Sequence, residues 1–322
     1  MLAAFKRLRQ VKEKEFFVEP VETSISSIAC AAIQENEEPG QLQVLATRQE
    51  EDVREVVIAQ ELPTHQKSQL VSLCEKYTCI FTDKPPCAKV EPYKIVLTDN
   101  APVRSKPYSI PHKVKDKVEA EIRSMERDGY LEPAESPYSS PMVVVRKPDN
   151  SIRICGDFRK LNAHVQFDAE PMADQHDIFA RLSTSRIFSK MDLAKGFYQL
   201  PLDEESRPLT AMATPLGLKQ YTVVPFGLSI SPAVFNRALR RILKDVPGIE
   251  IFMDDILVHS PTWKEHMDTL EKVFRIFCEY RISVKPSKCE LGSSGVEFLG
   301  HYVGQGIQKP QEKTLELSLI HI

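Results

Sequence analysis

The sequence GIEIFMDDILVHS, residues 248–260, places two adjacent carboxylates, Asp254 and Asp255, inside an otherwise apolar run. The residues on either side are mostly β-branched or apolar, a composition typical of buried strands. An Asp-Asp pair between two such runs indicates a hairpin turn. That turn is either a solvated acidic loop or a site for a hard cation such as Mg²⁺, which takes oxygen ligands from carboxylates and substrate phosphates. The second interpretation requires a third carboxylate and a phosphate-binding group elsewhere in the chain.

Asp192, in FSKMDLAKGFYQL, is the best candidate for the third carboxylate. It closes a predicted strand, residues 187–191, so its side chain would lie at a sheet end. An Asp at a strand end or helix N-cap is common without any function. Two neighbouring strands can nevertheless bring a strand-end Asp against a hairpin tip. That arrangement suits a two-metal phosphoryl-transfer site, in which the ions lie about 3.5–4 Å apart.

The bulk composition is that of an ordinary globular protein of one large or a few small domains. The net charge over 322 residues is −3, so any nucleic-acid binding must depend on local basic patches. Seven cysteines without a Cys-x-x-Cys pair indicate reduced thiols in an intracellular, cytoplasmic protein. Cys74, Cys79 and Cys87, with His65 nearby, match no common zinc spacing. No run of about 20 apolar residues occurs, which argues against a membrane partner.

Periodicity and turn signals predict an α+β fold with helices on one face of a sheet. Residues 1–62 are polar and acidic, and we expect a largely disordered extension. Helical spacing of apolar residues predicts helices over residues 63–82, 112–128, 232–246 and 265–281. Strand signals predict a strand over residues 93–97, a hairpin over residues 142–158, a second hairpin over residues 249–259, and single strands over residues 186–193, 217–225 and 295–303.

Four cations follow one face of the third predicted helix. Arg237, Arg240, Arg241 and Lys244 recur at helical spacing, and the apolar residues lie largely on the other face. Such a face is able to follow a phosphate backbone. A solvated helix face is an equally good interpretation of the same pattern.

Six segments, in this order, resemble the polymerase motifs of reverse transcriptases, and specifically those of LTR retrotransposons of the gypsy (Ty3) type. They are VVVRKPDNSIRICGDFRKLNA, FSKMDLAKGFYQLPL, TPLGLKQYTVVPFGLSISPAVFNR, IFMDDILVHS, VKPSKCELG and VEFLGHYV. The resemblance implies a right-hand polymerase fold with fingers and a palm, the palm being a ferredoxin-like antiparallel sheet. It implies RNA-directed DNA synthesis from deoxynucleoside triphosphates on a primed RNA or DNA template.

The resemblance also implies roles for individual residues. Asp192, Asp254 and Asp255 correspond to the ligands of two Mg²⁺ ions, which Mn²⁺ could replace. Phe197 is similar to the aromatic residue that rejects a ribose 2′-hydroxyl, although a core aromatic is the simpler interpretation of its sequence context. The implied deoxynucleotide-binding residues are Lys147, Arg153, Phe197, Phe226 and Gly227.

Other positions are implied to contact primer or template. They are Phe252, Phe298, Leu299, Gly300 and His301, with Arg237, Arg240 and Arg241 added from the basic helix face. Phe252 stands where the family usually has Tyr. Lys285 and Lys288 lie where the family has a proton-donating lysine, and the sequence does not choose between them. Asp157 and Arg159 are interpreted as structural or template-side residues.

The resemblance divides the chain into residues 63–185 (fingers and connector), 186–310 (palm with primer grip) and 311–322 (a truncated tail). A thumb, a ribonuclease H domain and an integrase are expected in a complete element, which would assemble in a virus-like particle. We therefore expect a fragment of a Pol polyprotein. The alternatives are an inactive or repurposed remnant that at most binds nucleic acid, and an RNA-templated RNA polymerase, which Phe197 disfavours. The oligomeric state is left open.

Overall fold

A computed structural model describes residues 51–99, 101–147, 151–168, 170, 174–253, 255–304 and 307–310. The chain forms two compact units, one of Thr47–Tyr108 with Lys115–Ile322 and one of Met1–Ala46 with Ser109–Val114. In the second unit the structure describes residues 109–114, which include a 3₁₀ turn at His112–Val114. The first unit carries the sheets and helices described below.

The helices of this unit are α1 (Thr64–Lys76), α2 (Lys115–Arg127), α3 (Arg159–Asn162), α4 (Gln175–Leu182), α5 (Ser231–Ile242) and α6 (Trp263–Tyr280). The strands are β1 (Val57–Ile58), β2 (Leu131–Pro133), β3 (Ser140–Arg146), β4 (Ile152–Gly156), β5 (Ile187–Asp192), β6 (Met212–Thr214), β7 (Gly217–Tyr221), β8 (Ile249–Phe252), β9 (Asp255–Ser260), β10 (Glu290–Ser293), β11 (Gly295–Phe298), β12 (His301–Gly304) and β13 (Ile307–Pro310). The α+β prediction is confirmed.

The sheet that carries the predicted carboxylates has the strand order β1-β10-β5-β9-β8. Its pairings are antiparallel except for the parallel β1–β10 edge. Because side chains alternate along a strand, Ser189 and Phe188 of β5 point to opposite faces. Ser189 contacts His266 of α6 on one face. Phe188 and Leu257 on the other face join a core cluster with residues of α4, β11 and β12.

Helix α6 shows why the local sequence folds as it does. The hydroxyl of Thr262 accepts a hydrogen bond from the backbone N–H of Glu265 and caps the first turn. Leu270, Val273, Phe274 and Phe277 recur at helical spacing and are fully buried. Each such side chain contributes about 1.5–3 kcal/mol through burial, so the apolar stripe fixes α6 on the sheet.

A second sheet, with the strand order β2-β7-β6-β3-β4, includes the predicted hairpin of residues 142–158. Strands β3 and β4 pair from Met142↔Gly156 to Arg146↔Ile152, and Lys147 N–H closes the ladder onto the Ser151 carbonyl at 2.8 Å. The hairpin prediction is therefore confirmed. The residues between Lys147 and Ser151 lie outside the described part of the chain.

The single strand predicted over residues 295–303 is wrong in detail, because the structure places two strands there. Strands β11 and β12 form a hairpin that β13 extends to three strands. Leu299 (φ 53°) and Gly300 (φ 74°) both adopt left-handed backbone conformations between the strands. Two consecutive positive φ values are what a tight two-residue hairpin loop requires. The Leu at the first position hid this turn from the sequence pattern.

Residues 93–97 do not form the predicted strand. Tyr93 bridges to Leu202, whereas Leu97 bridges to Val165, and Ile95 N–H donates to the hydroxyl of Ser206. The backbone of this segment thus bonds to several partners rather than to one ladder.

The strands β1 and β10 were not anticipated from the sequence, although β10 pairs directly with β5. Within the described ranges, no helix combines the length and apolarity needed to cross a bilayer.

Candidate active site

Asp192 and Asp255 face each other on the last rung of the β5–β9 ladder. The register runs from Ile187↔Ser260 to Asp192↔Asp255. Directly opposed residues share a face, so both carboxylates point to the same side as Phe188 and Leu257, away from α6. Both side chains are partly exposed, at 21% and 30%. The predicted meeting of a strand-end Asp and a hairpin Asp is therefore present.

Each of these carboxylates has a lysine beside it. Lys288 Nζ lies 2.9 Å from Asp192 Oδ2, and Lys190 Nζ lies 3.4 Å from Asp255 Oδ2. Opposed like charges destabilise a ladder, so the two ammonium groups offset the repulsion between the carboxylates. Lys285, the other predicted candidate, bonds instead to Glu51 at 3.3 Å. The structure thus places Lys288, and not Lys285, at the carboxylate pair.

The hairpin that carries Asp255 turns very tightly. Phe252 pairs with Asp255, and only Met253 and Asp254 separate them in the sequence. Met253 has φ 53°, a left-handed conformation that costs a non-glycine residue about 1–2 kcal/mol. Asp254, the remaining predicted ligand, lies outside the described residues.

The donor set suits a hard cation, since carboxylate oxygens are the ligands that Mg²⁺ prefers. Asp192 and Asp255 are partly exposed on one face, so their oxygens are accessible to an ion together with a substrate phosphate. Over the part of the chain that the structure describes, no group of three or more His, Cys, Asp or Glu side chains could hold a metal ion. The third predicted ligand is Asp254, so these two residues alone do not complete the set.

Three packed rings, Phe197, Phe226 and Phe235, which we name the aromatic row, connect the β3–β4 hairpin to the segment that follows β5. Phe197 lies in a 3₁₀ turn, Gly196–Gln199, which follows β5. Its ring lies 5.0 Å from that of Phe226 and packs edge-on against Phe235 at 5.4 Å. The guanidinium of Arg153 lies 5.4 Å from the centre of the Phe226 ring. Three of the predicted nucleotide-binding residues are therefore brought together.

Lys147 lies at the end of the hairpin that carries Arg153, and its positive charge acts on the carboxyl group of Glu121 in α2. Burial raises the pKa of Glu121, while the ammonium groups of Lys147 and Lys195 oppose that rise. Lys147 of the hairpin and Lys195 of the segment after β5 thus act on one half-buried carboxyl group. Cations in such positions are able to receive a polyanion.

Gly227 follows Phe226 with φ 94°. A Cβ at this position would lie 3.0 Å from the carbonyl oxygen of Gly156. Glycine is therefore required both for the backbone conformation and for the close approach to β4.

The predicted primer-contact residues of β11–β12 split into two groups. Phe298 is buried in the core cluster, against which Leu299 and Phe252 also pack. His301 lies edge-on to Phe179, with ring centres 4.9 Å apart, and its Nδ1 is 3.1 Å from the Leu299 carbonyl. Phe298 is therefore a core residue, whereas Gly300 is exposed and His301 is partly exposed.

Cations on the basic face of α5 form ion pairs with acidic residues that the sequence pattern did not indicate. Arg237 bonds to Asp168 at 2.5 Å and to Glu170 at 3.0 Å, and Arg240 lies 3.7 Å from Glu170. Hydrogen bonding to Asp168 raises the pKa of Arg237. Arg241 is exposed. A phosphate at Arg237 or Arg240 would have to compete with these intramolecular ion pairs.

Two sets of polar contacts could not be anticipated from the sequence, although Asp157 and Arg159 were interpreted as structural or template-side residues. The buried amide of Gln199 donates to the carbonyls of Ala194 and Ser283 and accepts from Ser283 N–H, which ties the segment after β5 to the segment before β10. Asp157 bonds to Arg159 at 2.7 Å and to the Tyr108 hydroxyl at 2.8 Å, beside a cavity of about 490 Å³. The Arg159 guanidinium lowers the pKa of Asp157 to about 2. Sequence position alone gives no signal for either set of contacts.

A family profile described as reverse transcriptase (RNA-dependent DNA polymerase) matches residues 145–303. Residues 145–303 belong to the reverse transcriptase family. This range contains the Asp192–Asp255 rung, the aromatic row and the β11–β12 turn.

Polyproteins of mobile elements are similar to this reverse transcriptase domain and its flanks. The chain is 34% identical over 220 residues to the Retrovirus-related Pol polyprotein from transposon 297 of Drosophila melanogaster, covering 66% of this chain and 21% of that one. It is 33% identical over 246 residues to the polyprotein from transposon 412 of the same species, covering 73% and 20%. It is 31% identical to the polyprotein from transposon gypsy, covering 68% and 22%. The chain therefore spans about a fifth of the length of these relatives.

Solved structures show the same fold. The foamy viral protease-reverse transcriptase in complex with double-stranded DNA superimposes with a TM-score of 0.75 at 25% identity, covering 89% of this chain and 51% of that one. The foamy viral enzyme in complex with an RNA/DNA hybrid gives a TM-score of 0.74 at 26% identity, covering 88% and 39%. The predicted fingers-palm polymerase fold and the gypsy-type resemblance are confirmed.

Proposed function

We propose that this chain catalyses template-directed transfer of a deoxynucleotide from its triphosphate to a primer 3′-hydroxyl, with release of pyrophosphate. The observation that carries the proposal is the Asp192–Asp255 rung, which presents two partly exposed carboxylates side by side at the end of one ladder. In the motif order of a reverse transcriptase, this rung and Asp254 form the catalytic carboxylate set.

The chain's own residues supply positioning and charge. Asp192 and Asp255, with Asp254, would hold divalent cations, which lower the pKa of an attacking hydroxyl and neutralise the triphosphate when bound. Phe197 and Phe226 of the aromatic row pack against each other, and the guanidinium of Arg153 lies over the Phe226 ring. A sugar packed against the Phe197 ring would leave no space for a 2′-oxygen. Lys147 and Arg153 would bind the phosphates of the triphosphate through charge-assisted hydrogen bonds.

The partners we propose are a primed RNA or DNA template and deoxynucleoside triphosphates. Support comes from the foamy viral relatives, whose structures hold double-stranded DNA and an RNA/DNA hybrid. We also propose that residues 63–185 act as fingers and connector and residues 186–310 as palm, because strands β5, β8, β9 and β10 of the carboxylate sheet all lie within residues 186–310. Strands β6 and β7 of the second sheet lie in the same range, so the chain returns to that sheet after β5.

Primer extension by the purified chain tests the proposal. Poly(rA) primed with oligo(dT) is incubated with dTTP and Mg²⁺, and Asp192→Asn is compared with Asp245→Asn. Asp245 is 87% exposed beside Lys244 and lies outside the site, so it is the matched control. We expect extension by the wild type and by Asp245→Asn, with a loss of roughly 100-fold or more in Asp192→Asn.

Extension that persists undiminished in Asp192→Asn would contradict the assignment of the carboxylates. Template binding without any extension by the wild type would contradict the polymerase proposal, and would favour a remnant that only binds nucleic acid.

A further inference from the structure

Residues 51–61, which we name the N-terminal latch, run along the edge of the carboxylate sheet ahead of the reverse transcriptase domain. Val57 N–H donates to the Cys289 carbonyl and Ala59 N–H to the Leu291 carbonyl, each at 3.0 Å. These bonds make β1 a parallel partner of β10. The latch therefore borders the loop that leads into β10.

Glu51 is the most unusual residue of the latch, because its carboxylate is buried with a relative exposure of 8%. It accepts hydrogen bonds from the Ser287 hydroxyl at 2.6 Å and from Ser287 N–H at 3.3 Å. Its other oxygen lies 3.3 Å from Lys285 Nζ. Burial raises the pKa of Glu51, but the Ser287 bonds and the Lys285 ammonium outweigh it and leave the pKa below its ordinary value. Glu51 is thus ionised and bound on both oxygens at neutral pH.

The loop that Glu51 binds, residues 285–288, also contacts Asp192. Lys285 N–H donates to the Asp192 carbonyl at 2.9 Å, and Lys288 Nζ donates to the Asp192 carboxylate at 2.9 Å. A 3₁₀ turn, Pro286–Lys288, joins the two contacts and keeps the loop short and stiff. Glu51 and Asp192 therefore both bind residues of the same four-residue loop.

We propose that Glu51 is a positioning residue of the polymerase site: it fixes the 285–288 loop so that the Lys288 ammonium stays at Asp192. This inference rests on the proposed function for its effect on catalysis, but the contact itself is independent of it. Glu51 binds Lys285 and Ser287, whereas the ammonium of Lys288 binds Asp192. A change at Lys288 after substitution of Glu51 would therefore have to pass through the loop.

Competitive labelling of lysine amines on the full-length chain, read by mass spectrometry, tests the coupling without requiring any activity. The variants are Glu51→Ala and, as a matched control, Glu55→Ala, an exposed acidic residue of the 3₁₀ turn Val53–Glu55 in the same N-terminal latch. Lys76 is the internal reference, because its 58% exposure and its bond to Glu271 match the 56% exposure of Lys288 and its bond to Asp192. We expect Glu51→Ala to raise the labelling rate of Lys288 several-fold relative to Lys76, and Glu55→Ala to leave it unchanged.

Kinetics supply the second readout. We expect Glu51→Ala to lower kcat for single-nucleotide extension by roughly 10- to 100-fold, the usual effect of losing a supporting residue, with little change in KM for dTTP. Glu51→Gln retains an acceptor for Ser287 and should recover part of kcat.

The outcomes separate the two proposals. Faster labelling of Lys285 alone, with Lys288 unchanged, would overturn the positioning role, and so would a normal kcat in Glu51→Ala. Absence of extension by the wild type, combined with faster Lys288 labelling in Glu51→Ala, would overturn the proposed function and uphold the latch.

Discussion

Lys288 Nζ lies 2.9 Å from Asp192 Oδ2, whereas the Nζ of Lys285, three residues earlier in the same loop, lies 3.3 Å from Glu51. The two lysines are indistinguishable by sequence context, and the fold assigns them different partners. A proton donor must lie within hydrogen-bond reach of the reacting groups, so geometry favours Lys288.

We therefore predict that Lys288→Met slows single-turnover extension by roughly 100-fold, the lower end of what general acid catalysis contributes. Lys285→Met should slow it less, because its ammonium acts only through the loop. Rapid-quench extension with saturating dTTP between pH 6 and 9 measures both rates. Equal losses in the two variants would contradict the assignment of Lys288.

Phe197 should control the choice of sugar. We predict that Phe197→Ala lowers the ratio of dTTP to UTP incorporation by roughly 10- to 100-fold, since the ring that excludes the 2′-oxygen is lost. Phe167→Ala is the matched control, because Phe167 is 83% exposed. An unchanged ratio in Phe197→Ala would mean that the ring serves only to pack against Phe226 and Phe235.

The buried His266 should make the fold sensitive to acid. Burial, aided by the charge of His259, lowers the pKa of His266 to about 3. The Ser189 hydroxyl contacts its Nε2, and among the described residues its Nδ1 finds no hydrogen-bond partner. The unfolded pKa is near 6.5, so the neutral side chain contributes fully above that pH. This contribution declines as pH falls from about 6.5 towards about 3.

Urea unfolding at pH 7 and pH 5 measures the effect. Between pH 7 and pH 5 we expect the free energy of unfolding to fall by about 1–2 kcal/mol more in the wild type than in His266→Gln. His65→Gln, at an exposed position, should behave as the wild type does. An equal fall in the unfolding free energy of His266→Gln and of the wild type would show that other groups cause the acid sensitivity.

Gly227 and Gly217 offer a comparison of backbone strain with steric contact. Both have φ near 95°, but an added Cβ meets the Gly156 carbonyl oxygen at 3.0 Å only at Gly227 and nothing within 4 Å at Gly217. We predict that Gly217→Ala costs about 1 kcal/mol of unfolding free energy through strain. Gly227→Ala should cost about 1–3 kcal/mol more through the contact. Equal losses of unfolding free energy in the two variants, measured by chemical denaturation, would show that β4 moves to accommodate the Cβ added at Gly227.

Much of the fold could be predicted because its signals are local. The apolar stripe of α6, the β3–β4 hairpin and the strand ending at Asp192 each follow from spacing and composition. The Asp192–Asp255 meeting could also be anticipated, since a strand end and a hairpin in one sheet can lie side by side.

The remaining features depend on contacts between distant segments. Glu51 stands in an acidic stretch that gives no sign of burial, and its partners lie more than 230 residues later. The acidic partners of Arg237 lie in a different segment of the chain, ahead of α4. The sequence pattern therefore did not show that the basic face of α5 is held in ion pairs. The turn at Leu299 was hidden because a non-glycine residue holds a positive φ. Sequence spacing carries no record of such pairings.

The central claim is that the Asp192–Asp255 rung, with Asp254, holds the divalent cations of the reaction. Its most direct test is a Mn²⁺ titration, followed by electron paramagnetic resonance, of the chain bound to a dideoxy-terminated oligo(dT) primer on poly(rA) with dTTP. The account predicts saturation near two ions per chain and loss of at least one in Asp192→Asn, with Asp245→Asn unchanged. Identical Mn²⁺ binding by the wild type and Asp192→Asn would contradict it.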